Sequence, residues 1–87
     1  MNHHHRKTLY ALFEHPMSAN IAFKDVEHLL EELGGALEAR SGDRVALTLK
    51  NRTVVFHKAH HSVPKEEVVH IRRFLTDCGV DPSQHPM

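Results

Sequence analysis

Hydrophobic and polar residues alternate most regularly in the middle of the chain, over residues 36–58. Every second residue there, namely Val45, Leu47 and Leu49, is strongly apolar, and the residues between them are polar or small. A period of two indicates a β-strand that is buried on one face only. Three antiparallel strands are predicted: Ala36–Arg40, Arg44–Leu49 and Arg52–Lys58.

The dipeptide Lys50-Asn51 predicts how the second and third strands pair, because Asn tolerates the positive φ of a two-residue hairpin turn. In that register Arg44 lies opposite His57, and both project away from the alternating apolar residues. A three-residue turn after the first strand places Arg40 opposite Arg44. We therefore expect Arg40, Arg44 and His57 to form one row on the open face of the sheet.

Helical periodicity flanks the three strands. Apolar residues recur at 3.6-residue spacing over Phe23–Leu33 and Val63–Cys78, which predicts two amphipathic helices. Gly34 and Gly35 end the first helix, since a glycine supplies the left-handed cap. Both helices must cover the same sheet face, because only one face carries large apolar residues in every strand. The pattern therefore predicts an α+β fold with two helices on one face of the sheet.

A shorter apolar stripe predicts a helix of about two turns over Arg6–Glu14, which Pro16 ends. Because so short a helix does not persist alone in water, it must dock. We expect it to dock on its own domain; docking on a neighbouring chain, which would give a homodimer through this helix, is the alternative. Three parts are predicted: an N-terminal extension (1–22) with a connector over Met17–Ala22, a domain (23–80) and a loose, proline-containing tail (81–87).

Composition limits the classes of protein that fit. The chain has 87 residues and one cysteine, Cys78, so it forms one domain without an internal disulfide. No apolar run approaches the roughly 18 residues of a membrane helix, and no signal segment opens the chain. We expect no membrane association and a reducing, cytoplasmic setting.

Charge is zero overall but unevenly distributed. From Phe23 to Gly35 there is one base against four acids, whereas from Ala36 to Leu75 there are eight bases against four acids. This split indicates an acidic first helix and a basic sheet surface. An ordinary solvated surface is the competing interpretation.

Histidines raise the question of a metal site. His57 with His60 or His61 could ligate a metal, but no carboxylate or thiolate stands beside them in the sequence. Contact with phosphate is therefore the favoured interpretation, and no metal or cofactor is expected. His3–His5 are either native or a remnant of a purification tag, and nothing in the sequence sets their geometry as ligands.

The order of these elements resembles the HicA toxins, which cleave mRNA and are neutralised by HicB antitoxins. The resemblance is carried by FKDVEHLLEELGG, ALEARSGDRVALTL, RTVVFHK and EVVHIRRFLTDCGV, and it covers Phe23 to about Val80. It implies a double-stranded-RNA-binding-domain-like fold of order α-β-β-β-α, an RNA target and a HicB-like partner protein.

One departure from the HicA pattern concerns the catalytic residue. HicA toxins carry Gly-Ser-His at the start of the second strand, where this chain has Gly42-Asp43-Arg44. Arg44 stays protonated and cannot act as a general base, but it can bind phosphate. We hypothesise that His57 activates a ribose 2′-hydroxyl instead, while Arg44 stabilises the developing charge. The residues predicted to contact RNA are Arg40, Gly42, Arg44, His57 and Lys58.

Three functions are compatible with this sequence. The first is an RNA-binding toxin-like protein of a bacterial toxin–antitoxin pair, an mRNA endoribonuclease if His57 supplies the missing base. The second is a catalytically inactive RNA- or protein-binding module of the same fold. The third is a DNA- or metal-binding regulator; a helix–turn–helix is disfavoured, because the sheet separates the two longer helices.

Overall fold

The computed structural model describes residues 1–14, 20–58 and 61–86. Within these ranges the chain forms three α-helices and one antiparallel sheet with the strand order β1-β2-β3. The elements are α1 (His3–Phe13), α2 (Phe23–Glu32), β1 (Ala36–Ala39), β2 (Arg44–Leu49), β3 (Arg52–His57), α3 (Lys65–Asp77) and a 3₁₀ turn (Pro82–Gln84). The predicted α+β class with a three-stranded sheet is confirmed.

The strand register is the predicted one. Lys50 and Asn51 adopt φ values of 49° and 66°, the left-handed conformation that a tight hairpin turn of this kind requires. The turn pairs Leu49 with Arg52, and the pairing continues without a bulge to Arg44 opposite His57. The two outer strands each end one residue earlier than predicted.

The two faces of the sheet differ in what covers them. On the inner face α2 packs along β1 and α3 packs along β3. No helix in the described part of the chain covers the outer face, where Thr48 and Thr53 join their hydroxyl groups at 3.1 Å. The inner face carries Leu37, Val45, Leu47, Leu49, Val54 and Phe56, all buried or half-buried. The sheet therefore has one face in the core and one open face.

The two glycines after α2 have separate roles. Gly34 has a φ of 95° and supplies the left-handed conformation that ends the helix. Gly35 lies where the chain passes close to the sheet: a Cβ there would meet Leu47 Cδ1 at 2.7 Å and the carbonyl oxygen of Leu30 at 2.8 Å. The absence of a side chain at Gly35 therefore lets α2 approach the central strand closely.

Helix α1 begins at His3 rather than at the predicted Arg6. The side chain of Asn2 accepts a hydrogen bond from the backbone N–H of His5 at 2.8 Å, which caps the first turn. Two histidines of this turn face acidic residues of α2, His4 at 3.0 Å from Asp25 and His5 at 3.3 Å from Glu32. The N-terminal histidines are thus part of a folded helix.

Helix α1 docks on its own chain, between α2 and α3. Leu9 and Leu12 are fully buried and belong to the same hydrophobic cluster as the residues of the sheet. Arg72 of α3 donates a hydrogen bond from Nε to the carbonyl oxygen of Leu12 at 2.9 Å, so this arginine holds two helices together. The segment predicted as an extension therefore contributes to the core of the domain.

The C-terminal segment, predicted as a loose tail, contains a short turn. Pro82–Gln84 form a 3₁₀ turn, which Asp81 caps by accepting a hydrogen bond from the Ser83 N–H at 2.8 Å. That backbone hydrogen bond lowers the pKa of the Asp81 carboxyl below its ordinary value of 3.8. Tyr10 of α1 donates its hydroxyl to the carbonyl oxygen of Pro82 at 3.1 Å, which fastens the turn to the first helix.

Two predictions fall partly outside the described residues. Pro16 and half of the predicted connector (17–19 of 17–22) lie there, and so does His60, one of the loop histidines considered as a metal ligand. No helix in the described ranges is long and apolar enough to cross a membrane.

Candidate nucleic-acid interface

The open face of the sheet carries two arginines at one end. Arg40, directly after β1, and Arg44, at the start of β2, line a shallow depression of about 280 Å³ together with Ser41 and Val55. Val55 is 43% exposed and forms an apolar floor between strands. The depression therefore combines two guanidinium groups with a small apolar surface.

The guanidinium of Arg40 is paired with the carboxylate of Glu38 beside the depression. Its Nε lies 3.2 Å from Oε1 of Glu38, two residues earlier on the same face of β1. Both side chains are more than half exposed, so the pair is weak and solvent-screened. A phosphate group could displace the carboxylate from the guanidinium at small cost.

The turn between β1 and β2 brings the remaining predicted residues to the same end of the sheet. Gly42 has a φ of 72°, which lets the three-residue turn close tightly. The backbone N–H of Lys58 donates to the carbonyl oxygen of Asp43, which ties the end of β3 to this turn. Gly42, Lys58 and the two arginines are all exposed.

His57 occupies the predicted backbone position, but its ring is directed toward a different partner. It is the Cα partner of Arg44 across the two strands. Its imidazole Nδ1 lies 3.5 Å from Oε1 of Glu67, in the first turn of α3. The predicted row on the open face therefore consists of Arg40 and Arg44, with His57 at its margin and turned toward the helix.

Glu67 and His70 were not among the residues predicted for the site. They lie one helical turn apart, and His70 Nδ1 is 3.7 Å from Glu67 Oε2. The side chain of Glu67 is only 16% exposed, whereas His57 and His70 are 73% and 45% exposed. Within the described part of the chain, Glu67 Oε2 is buried without a hydrogen-bond partner. One largely buried carboxylate thus stands between two accessible imidazoles.

A groove continues from this cluster along the edge of the molecule between β3 and α3. Its volume is about 400 Å³. His70 and Arg73 of α3 face Arg52 of β3 across it, and Val54 and Phe74 provide its apolar floor. Thr53 and Asp77 complete the lining. The groove therefore offers two guanidinium groups directly beside the imidazole of His70.

The sequence contains only part of the information needed to find this cluster. The spacing of Glu67 and His70 places both on one face of a helix, since residues three apart are neighbours. Nothing in the sequence shows that this face meets the end of β3, because that contact depends on how the helix packs on the sheet.

No group of three or more His, Cys, Asp or Glu side chains among residues 1–14, 20–58 and 61–86 is arranged to hold a metal ion. Comparisons with known proteins return no match: no family model, no curated protein and no solved structure matches this chain. The chemical role of the site therefore has to follow from its own residues.

Proposed function

We propose that this protein binds single-stranded RNA on the open face of its sheet and acts in the cytoplasm as the toxin-like member of a toxin–antitoxin pair. The observation that carries the RNA part of the proposal is the exposed pair Arg40 and Arg44 around an apolar residue, Val55, on a sheet face that no helix in the described part of the chain covers. The toxin part rests on the resemblance of residues 23–80 to HicA toxins and on the double-stranded-RNA-binding-domain-like fold that it implies.

The chemistry of the depression suits a phosphodiester backbone. A planar guanidinium presents paired N–H donors that match two phosphate oxygens. The backbone N–H of Arg40 donates to the carbonyl oxygen of Arg44, so the two side chains start from adjacent backbones and line one depression, where they can hold one phosphate from two sides. Thr48 and Thr53, further along the same face, add hydroxyl groups that can pair with ribose or base edges.

The open face favours a single strand over a duplex. No helix of residues 1–14, 20–58 and 61–86 projects from this face into a groove, whereas a single strand can lie across the sheet. The described residues of this face include no Phe, Tyr or Trp on which a base could stack, and the one imidazole, His57, lies at its margin. Contacts to the backbone should therefore dominate, which gives strong salt dependence and little sequence preference.

A HicB-like antitoxin is the partner that the proposal implies. It would cover the arginines of the open face and so compete with RNA for the same surface. An RNA- or protein-binding module without catalysis remains the alternative function, because Arg44 stands where HicA toxins have their histidine.

RNA binding is tested with a fluorescently labelled single-stranded RNA titrated at several salt concentrations. The dissociation constant should rise steeply with salt, since bound phosphates release counterions. The double variant Arg40→Ala/Arg44→Ala should bind more weakly and reduce the slope of log K against log salt by about 1.4. Lys24→Ala/Lys7→Ala, which removes the same charge from exposed positions on α2 and α1, is the matched control.

Comparison of the two double variants distinguishes contact of RNA with the open face from attraction by the overall charge of the protein. Equal weakening by both double variants would contradict a specific role for the open face. Absence of binding by the unaltered protein at low salt would overturn the RNA proposal.

The toxin role requires a separate test in cells. Induced expression should arrest growth, and co-expression of the product of an adjacent reading frame should relieve the arrest. Unimpaired growth at high expression would contradict the toxin role and leave RNA binding alone.

A further inference from the structure

We infer that His57, Glu67 and His70 form a metal-independent RNA-cleaving centre in which two imidazoles exchange protons with the substrate and the carboxylate positions them. The inference rests on the proposed RNA binding, but it assigns catalysis to the edge between β3 and α3. Neither imidazole lies at the start of β2, where the HicA resemblance places the catalytic residue.

Geometry provides the first argument. Both imidazoles direct Nδ1 toward the same carboxylate, at 3.5 Å for His57 and 3.7 Å for His70. These distances are ion-pair contacts, and a modest approach of either ring would give a hydrogen bond from Nδ1 to the carboxylate, which leaves Nε2 as the nitrogen that faces solvent and substrate. The two rings are exposed, whereas Glu67 is largely buried, so Glu67 is a positioning residue.

The surroundings provide the second argument. Arg44 lies across the strands from His57, and Arg52 and Arg73 line the groove beside His70. Guanidinium groups on both sides suit a substrate whose reacting phosphate lies between the two imidazoles and whose neighbouring phosphates follow the groove. The one acidic residue in the groove lining is Asp77, at the last residue of α3.

The reaction that fits two such imidazoles is an internal transesterification. His57 Nε2 accepts the proton of a ribose 2′-hydroxyl, and the 2′-oxygen forms a bond to the adjacent phosphorus. The bond from phosphorus to the 5′-oxygen breaks, and protonated His70 gives its proton to that oxygen. The products are a 2′,3′-cyclic phosphate and a free 5′-hydroxyl. Proton exchange with water restores both rings, so no metal or other reactant is required.

The reaction is tested with labelled single-stranded RNA in the presence of EDTA, with separate measurement of binding and cleavage. The unaltered protein should produce 2′,3′-cyclic phosphate ends, and RNA methylated at its 2′-oxygens should bind but stay intact. His57→Ala and His70→Ala should each lower the rate by about 10²-fold or more, far more than either variant changes the dissociation constant. His28→Ala, which removes an exposed histidine from α2, should cleave at the unaltered rate.

The role of Glu67 requires a readout that a purely structural residue would not change. Rate against pH should be bell-shaped, because one imidazole must be neutral and the other protonated. Glu67 contacts both rings; Arg52, Arg73 and Asp77 line the groove with His70, and Arg44 is the strand partner of His57. Glu67→Gln should lower the rate of cleavage while the dissociation constant for RNA stays the same, and Glu67→Asp, which keeps the carboxylate, should recover part of the rate. The far-ultraviolet circular dichroism of both variants should stay that of the unaltered protein.

The outcomes distinguish this inference from the proposed function. RNA that is bound but not cut would overturn the catalytic centre and leave the binding proposal intact. Absence of RNA binding would overturn the binding proposal. Cleavage that EDTA abolishes, or that persists with 2′-methylated RNA or with His57→Ala/His70→Ala, would also overturn the centre.

Discussion

The substitution Gly35→Ala tests how closely α2 approaches the sheet. The added Cβ would lie 2.7 Å from Leu47 Cδ1, which is 0.7 Å shorter than the 3.4 Å at which ordinary contact begins. It would also lie 2.8 Å from the carbonyl oxygen of Leu30, a backbone atom that cannot rotate away. Leu47 is fully buried in the central strand, so the strain falls on the core itself.

The expected destabilisation follows from two opposing effects. Overpacking a well-packed core costs about 1–3 kcal/mol, while Gly→Ala restricts the unfolded chain and returns about 0.4–1 kcal/mol. The free energy of unfolding should therefore fall by about 1–2 kcal/mol. With a urea dependence near 1 kcal/mol per molar for a domain of this size, the midpoint should fall by about 1–2 M.

A double-mutant cycle identifies the contact responsible. Leu47→Val removes the Cδ1 methyl that the new Cβ would meet, so Gly35→Ala should cost at least about 0.5 kcal/mol less in that background. Gly34→Ala is the control, because its Cβ meets nothing within 4 Å and its cost comes from its φ of 95° alone. That cost should be the same in both backgrounds. An unchanged midpoint for Gly35→Ala, or equal losses in both backgrounds, would refute the close approach.

Three further outcomes are expected. Leu12→Ala should lower the free energy of unfolding in urea by about 2–5 kcal/mol, because Leu12 is fully buried within its own chain. The loss should be the same at any protein concentration. A urea midpoint that rises with protein concentration would indicate a homodimer through α1. Glu38→Gln should raise the affinity for labelled single-stranded RNA about two- to fivefold, since it frees Arg40 from an exposed ion pair. Weaker binding by this variant would contradict the placement of RNA beside Arg40. Asp81→Ala should speed hydrogen exchange at Ser83 and Gln84. Because the pKa of Asp81 is lowered in the folded protein, its stabilisation of the turn is present above pH 3.8 and is lost as the pH falls below that value. Unchanged hydrogen exchange in the variant would show that the Asp81 cap does not stabilise the turn.

Local pattern was sufficient to predict the sheet. The alternation of Val45, Leu47 and Leu49 allows one inward face, and a shift by one residue would expose all three. The positive φ of Lys50 and Asn51 then sets the pairing partner of every residue in the hairpin. These features depend on residues that are close in sequence, so the sequence alone predicts the strand register.

Contacts between distant elements could not be predicted in the same way. The stripe of α1 indicates an apolar face but not that Leu9 and Leu12 fill the space between α2 and α3. The spacing of Glu67 and His70 indicates a shared helix face but not the approach of His57. In both cases the contact depends on how one element packs on another, and the periodicity of a single element does not predict that packing.

The most direct test of RNA binding on the open face is an amide chemical-shift titration of the ¹⁵N-labelled protein with single-stranded RNA. The account predicts that the largest shifts lie at residues 40–44 and 53–58, with small shifts on α1 and α2. Largest shifts on α1 or α2, with the sheet residues unchanged, would contradict it.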